Sequence, residues 1–146
     1  MRIRSAAILI QNNSLALMER HRDGRHYFSF PGGGVDAGET PEQAVVREAH
    51  EELGIHVKVI RLAAEVWLNG RQQFFFLVEQ TGGTFGTGAG EEFASDRDPA
   101  RGTFDPIWMP LEQVTVKNVL PKQVAELVAR SHPEKWSDQP VLIRES

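Results

Sequence analysis

The chain alternates between short apolar runs and polar breaks. Arg2–Gln11 is apolar and rich in Ile and reads as a strand. Asn12-Asn13-Ser14 is a turn signal, and Leu15–Glu19 continues as a second strand, so the two predict a hairpin. A basic stretch from Arg20 to His26 follows. The short aromatic segment Tyr27–Phe30 comes next and is broken by Pro31-Gly32-Gly33-Gly34. Over Thr40–Leu53 the apolar spacing becomes helical, with Ala44, Val45, Ala49 and Leu53 on the inner side. Thr40 suits the N-cap and Pro41 the first helical position. Gln43 completes a capping box with Thr40, and Gly54 is placed to close the helix in a left-handed conformation.

Ile55–Leu68 is strand-like, Asn69-Gly70 is a hairpin turn, and Gln72–Glu79 is the returning strand. Residues 81–102 carry Gly82, Gly83, Gly86, Gly88, Gly90 and Gly102 among mixed charges, which predicts a long loop. Phe104–Met109 is a further short strand. Pro121–Arg130 is a second amphipathic helix with Val124, Leu127 and Val128 facing inward, and the pattern assigns no element to the tail 131–146. Strands joined mostly by hairpins, with two helices among them, predict an α/β fold of the mixed sandwich type rather than a doubly wound parallel sheet. The length of 146 residues suits one domain over 1–146.

Composition narrows the chemistry. With Cys at 0, disulfides, thiolate zinc sites, iron–sulfur clusters and a cysteine nucleophile are all excluded. Together with the lack of a signal sequence, this predicts a cytoplasmic location. The run Ala6–Ile10 is far too short for a membrane span. A net charge of −4 argues against binding to duplex nucleic acid or anionic lipid. Small phosphorylated ligands stay open, because local Arg residues bind those within an acidic protein.

The chemistry concentrates on the first helix. Glu48, Glu51 and Glu52 stand at i, i+3 and i+4 and so share a face, with Glu42 at the helix start and Glu39 just before it. Like charges at that spacing destabilise a helix by ~0.2–0.5 kcal/mol per pair. Arg47 reaches Glu51 at i+4, but one Arg does not neutralise three glutamates, whereas a divalent cation does. Isolated acidic triplets are more often a solvated helix face. The glycine-rich run Gly32–Gly38 ahead of the helix shifts the balance, because such loops let a ligand approach the backbone closely. Gly33-x4-Gly38-Glu39-Thr40 has the spacing of a P-loop, but Glu39 stands where Lys is required, so that reading fails. Oxygen donors favour Mg²⁺ or Mn²⁺, with Ca²⁺ as a weaker option, and a Mg²⁺ site of several carboxylates suggests phosphate chemistry.

These residues resemble the Nudix hydrolases, whose mark is G-x5-E-x7-R-E-U-x-E-E-x-G-U with U aliphatic. Here it reads Gly33, Glu39, Arg47, Glu48, Ala49, Glu51, Glu52, Gly54 and Ile55. Pro31-Gly32-Gly33 resembles the family's lead-in, although Phe28 stands where Trp is frequent, and Trp108–Glu112 resembles its late strand-to-helix segment. The resemblance implies a Nudix-type α/β/α sandwich with a mixed sheet. It also implies Mg²⁺-dependent hydrolysis of a nucleoside diphosphate linked to another moiety: a nucleotide, a nucleotide sugar or an ADP-ribose-like compound. It implies Glu48 and Glu52 as principal metal ligands and Glu51 as a further ligand or the residue that orients or deprotonates water. Gly32 would offer its carbonyl to a metal, Arg47 would hold a glutamate in position, and Glu39 would support the loop and helix start.

Other residues are candidates for the rest of the substrate. Arg20, Arg22 and Arg25 offer bidentate geometry to phosphate, against the plainer reading of a solvated basic loop. Tyr27, Phe28 and Phe30 offer rings to a base, against core packing. Asn118 offers an amide to a base edge, against a simple cap or loop residue. Glu92, with Glu91 and Asp96, sits in the glycine-rich loop, where it would add a metal ligand or a general base on loop closure. A nucleotide-sensing module without turnover is the alternative function, and the intact glutamate set weighs against it. Isopentenyl diphosphate isomerases share the fold but use a catalytic Cys, absent here. A homodimer is compatible with a small enzyme of this type.

Overall fold

The computed structural model describes residues 3–88 and 102–145. Among the described residues nine strands and two α-helices lie in this order: β1 (Arg4–Gln11), β2 (Ser14–Arg22), β3 (Arg25–Ser29), β4 (Gly32–Gly34), α1 (Pro41–Leu53), β5 (Ile55–Leu68), β6 (Arg71–Gly83), β7 (Asp105–Pro110), β8 (Val119–Leu120), α2 (Lys122–Ser131) and β9 (Val141–Glu145). The strand path is β8-β3-β2-β1-β6-β5-β9, with β4 also paired to β1 and β7 to β2. Parallel and antiparallel pairs are mixed across it: β1–β6, β3–β8 and β5–β9 are parallel, and the others antiparallel. This is the expected α/β/α sandwich with a mixed sheet.

The two-residue period of the strands sorts side chains between two cores. On β1, Ala6 and Ile8 face one way and Ala7 and Leu9 the other. On β2, Leu15 and Leu17 part in the same manner from Ala16 and Met18. The first set packs with Val124, Leu127 and Val128 of α2, and the second with Val45, Ala49 and Leu53 of α1. Both faces of β1 are therefore covered, which is why its sequence is a continuous apolar run and not an alternating one. Each fully buried Leu or Val contributes about 1.5–3 kcal/mol relative to exposure.

The first helix forms as its sequence dictates. Thr40 Oγ1 accepts from Gln43 N at 3.1 Å, Gln43 Oε1 accepts from Thr40 N at 3.0 Å, and Gly54 closes the helix at φ 78°. Ser5, fully buried on β1, donates to Pro41 O at 2.6 Å and so pins the N-terminal turn of α1 to the sheet.

Four expectations change. The predicted β1–β2 hairpin pairs only at its tip, Ile10 with Leu15 and Gln11 with Ser14. Beyond that the strands diverge, β1 to β6 and β4, β2 to β3 and β7. The basic stretch is not a loop, since β2 and β3 run through it in register to a turn at Asp23-Gly24. The glycine segment is a strand: Gly32, Gly33 and Gly34 pair with Ala6, Ser5 and Arg4. Only Gly fits this approach, because a Cβ on Gly32 would strike Ser5 O and the Ala6 backbone. Finally, Val141–Glu145 in the tail is a strand added beside β5. Among the described residues no helix is long and apolar enough to cross a membrane.

Candidate metal centre

The acidic face of α1 lies against β4. Glu48 and Glu52 are 7% and 3% exposed, which is rare for carboxylates and costly unless something positive or donating meets them. They meet successive residues of one strand. Gly32 N donates to Glu52 Oε1 at 2.5 Å, and Gly33 lies so close beneath the Glu48 carboxylate that a Cβ there would collide with Oε2. The glycines thus form a backbone cradle for two carboxylates.

Arg47 organises the remainder. Its Nε and Nη2 donate to Glu39 Oε2 and Oε1 at 2.9 and 3.0 Å, a bidentate pair. Nη2 also donates to Gly34 O at 2.9 Å, and Nη1 to Glu51 Oε2 at 3.1 Å. Asp36 and Glu48 complete the ion pairs at 3.5 and 3.3 Å. One guanidinium therefore serves four carboxylates. The Glu39 hydrogen bond, aided by the nearby Glu48 and Glu51 charges and opposed by burial, holds Arg47 protonated even above its usual range. Reciprocally, the Arg47 bond and the Asp36 backbone bond lower the pKa of Glu39 below its ordinary 4.5.

Glu51 differs from its neighbours. Its side chain is 41% exposed and borders a cavity of about 270 Å³ with His50, Gly54 and Thr87. The glutamates do not converge as a triplet. Among the described residues, the one three-membered group of donor atoms lying within 4.8 Å of one another is Glu19, His21 and His26, elsewhere in the fold. Arg47 bridges Glu48 and Glu51, while Glu52 turns to the Gly32 N–H. The donor set nonetheless suits a hard divalent ion: oxygen only, two members buried on one helical turn, and an excess of negative charge over the single guanidinium.

The segment after β6 is tied to the C-terminal end of α1. Gly86 N donates to Leu53 O at 2.9 Å, and a Cβ on Gly88 would strike Glu51 O and Glu52 O. On the far side of the glycine-rich segment, Thr103 N donates to His21 O and Arg20 Nε to Thr103 O. Glu92, with Glu91 and Asp96, lies outside the described residues.

The substrate candidates separate. Arg20 lies over the Phe104 ring at 3.6 Å and farther from the Tyr27 ring, at 5.7 Å, on the same face of the hairpin as Ala16 and Met18 and hence toward the α1 layer. Arg22 pairs with Asp23 at 3.7 Å at the exposed hairpin tip. Phe28 is a core residue packed with Leu17 and Val119, so its ring offers no open face for a base; the strand period turns it inward. Asn118 is a structural pin, its Nδ2 donating to His26 O at 3.4 Å and its carbonyl accepting from Phe28 N at 2.9 Å. Sequence reasoning missed the Gly32 N–H donor, the Gly33 cradle and the Ser5 pin. A strand of three glycines gives no hydrophobic signal that would reveal them.

A mixed sandwich with an acidic helix laid on a glycine strand is a known class of fold. The family model for the NUDIX domain matches residues 1–131, and the chain belongs to that family. Among curated proteins, the RNA pyrophosphohydrolase of Vibrio atlanticus (strain LGP32) is 43% identical over 60 residues, which are 41% of this chain and 35% of that protein. The match thus spans about a third of that relative's length. Among solved structures, a NUDIX hydrolase from Nitrosomonas europaea matches with TM-score 0.71 at 17% identity, covering 99% of this chain and 79% of that one. An ADP-ribose pyrophosphatase from Streptococcus suis 89-1591 matches with TM-score 0.67 at 18% identity, covering 99% and 98%. At such identities the likeness is one of fold.

Proposed function

We propose that the chain is a divalent-metal-dependent hydrolase that cleaves the phosphoanhydride of a nucleoside diphosphate linked to another moiety. The observation that carries this reading is the pair of buried carboxylates, Glu48 and Glu52, cradled by consecutive glycines. The names of the relatives, pyrophosphohydrolase and pyrophosphatase, point the same way. Glu48, Glu51, Glu52 and the Gly32 carbonyl would hold Mg²⁺, with Mn²⁺ as a substitute. When bound, the metal supplies charge neutralisation on phosphate oxygens and acidifies water.

The chain's own residues do the positioning. The Gly32 N–H fixes one Glu52 oxygen and so orients that carboxylate. Arg47 holds Glu51 and Glu48 from one side while Glu39 and Gly34 O hold Arg47, so the carboxylates are oriented before substrate arrives. Glu51, the most exposed of the three, is placed to take a proton from attacking water, and Glu92 is the second candidate for that task. Arg20, on the α1 face of the hairpin, and Arg22 at its tip would meet phosphate oxygens. The substrate is small and nucleotide-like, and the acidic chain has no role on duplex nucleic acid.

The test is Glu52→Gln. Turnover falls by orders of magnitude while the circular dichroism spectrum is unchanged; full activity in the variant would remove the assignment. A panel of nucleoside triphosphates, nucleotide sugars, ADP-ribose and 5′-triphosphorylated RNA, each with Mg²⁺ or Mn²⁺, identifies the product and hence the bond cut. Nucleotide binding by calorimetry with no product at high protein concentration would favour the sensing module instead.

A further inference from the structure

The β2–β3 hairpin carries chemistry on the face turned away from α1. Glu19 and His21 share the strand parity of Leu15 and Leu17, which pack on the α2 side, and His26 is the register partner of His21. One ligand atom from each of Glu19, His21 and His26 lies within 4.8 Å of the other two. The His21 and His26 rings stack at 4.2 Å and 5°, and His26 Nε2 sits 2.7 Å from Glu19 Oε2. Phe28 flanks His26 on the same strand face at 5.1 Å. His26 is thereby held by three neighbours on a registered two-strand scaffold.

We propose that Glu19, His21 and His26 form a second metal site, which takes a borderline divalent transition-metal ion of the Zn²⁺ type through two imidazole nitrogens and one carboxylate oxygen. Donors around a tetrahedral Zn²⁺ stand roughly 3.3–3.5 Å apart, so the set closes once the two imidazole rings turn out of their parallel stack and aim their nitrogens at one point. The ion replaces the hydrogen bond between Glu19 and His26, and water fills the remaining position. Imidazole donors favour Zn²⁺, Ni²⁺ or Cu²⁺ over Mg²⁺, which prefers oxygen ligands. The two centres thus select different metals: oxygen ligands on α1, mixed nitrogen and oxygen on the hairpin. The site is open to solvent, since both histidines are exposed, and the rigid register of β2 and β3 brings its donors together.

The test is a Zn²⁺ titration of the full chain in millimolar Mg²⁺, read by competition with a chromophoric chelator and by the imidazole resonances. The wild type takes up one more equivalent than His21→Asn/His26→Asn, and the His21 and His26 signals shift at that equivalent. Glu19→Gln keeps both imidazoles and binds about tenfold more weakly. Equal uptake by the wild type and the double variant, or unmoved His21 and His26 signals at one equivalent of Zn²⁺, overturns the proposal. The resonance measurement on the wild type decides the matter even if the double variant does not fold.

Discussion

Two polar regions of this molecule handle charge in opposite ways. The α1–β4 region buries Glu48 and Glu52 and shares one guanidinium among Asp36, Glu39, Glu48 and Glu51. The β2–β3 hairpin leaves His21, Arg22, Arg25 and His26 at the surface, where the histidines stack and Arg22 pairs with Asp23. Burial raises the worth of each contact and the penalty for losing it; exposure screens both. Substitutions in the first region therefore act on catalysis and stability together, and those in the second act weakly unless they touch a ligand.

Beyond Glu52→Gln, the sharpest blow to the α1–β4 region is Gly33→Ala. The new Cβ lands on the Glu48 carboxylate, the far end of a flexible side chain, so the carboxylate is displaced and turnover falls at least tenfold while stability changes little. Kinetics and thermal unfolding check this, and a silent variant would mean that the cradle is slack. Arg47→Ala leaves Glu39, Glu48 and Glu51 facing one another and costs about 2–3 kcal/mol, below the range for fully buried pairs because the guanidinium is 29% exposed. Arg47→Lys recovers charge without the bidentate fork, and regains only part of the loss.

Acid separates the two regions further. Glu39 has a lowered pKa in the folded chain, so the stability it lends is fully present above the ordinary carboxylate value of 4.5 and is lost as pH falls below that through the folded value. Arg47→Gln flattens this acid limb of the melting-temperature curve. An unaltered limb would show that Glu39 draws its stabilisation elsewhere. Thr40→Ala removes the capping box and costs about 1 kcal/mol, read as a lower melting temperature. The smallest effect belongs to Asn118→Ala, whose exposed 3.4 Å contact carries at most about 0.5 kcal/mol.

Local signals foretold local structure. Thr40, Pro41, Gln43 and Gly54 marked α1 to within a residue, and Asn69-Gly70 marked the β5–β6 turn, where Asn69 takes φ 53°. Caps and turns depend on neighbours in sequence, so local residue order alone reveals them. The pairing of β1 with β6 was not legible, nor was β9 against β5, because strand partners depend on which apolar faces must be covered. Phe28 illustrates the limit. An aromatic in a short segment looks the same whether it stacks on a base or fills a core, until its strand neighbours set its side.

What the amino-acid order determined by itself was the acidic helix: its ends, and the three glutamates set on one face. What only the tertiary structure decided was their environment. Laying α1 across a strand of glycines buried Glu48 and Glu52, left Glu51 open and gave Arg47 four carboxylate partners. Registering β2 with β3 likewise brought His21 and His26 beside Glu19. Spacing along a chain fixes direction around one element, but solvent exclusion and charge neighbours arise only where separate elements meet.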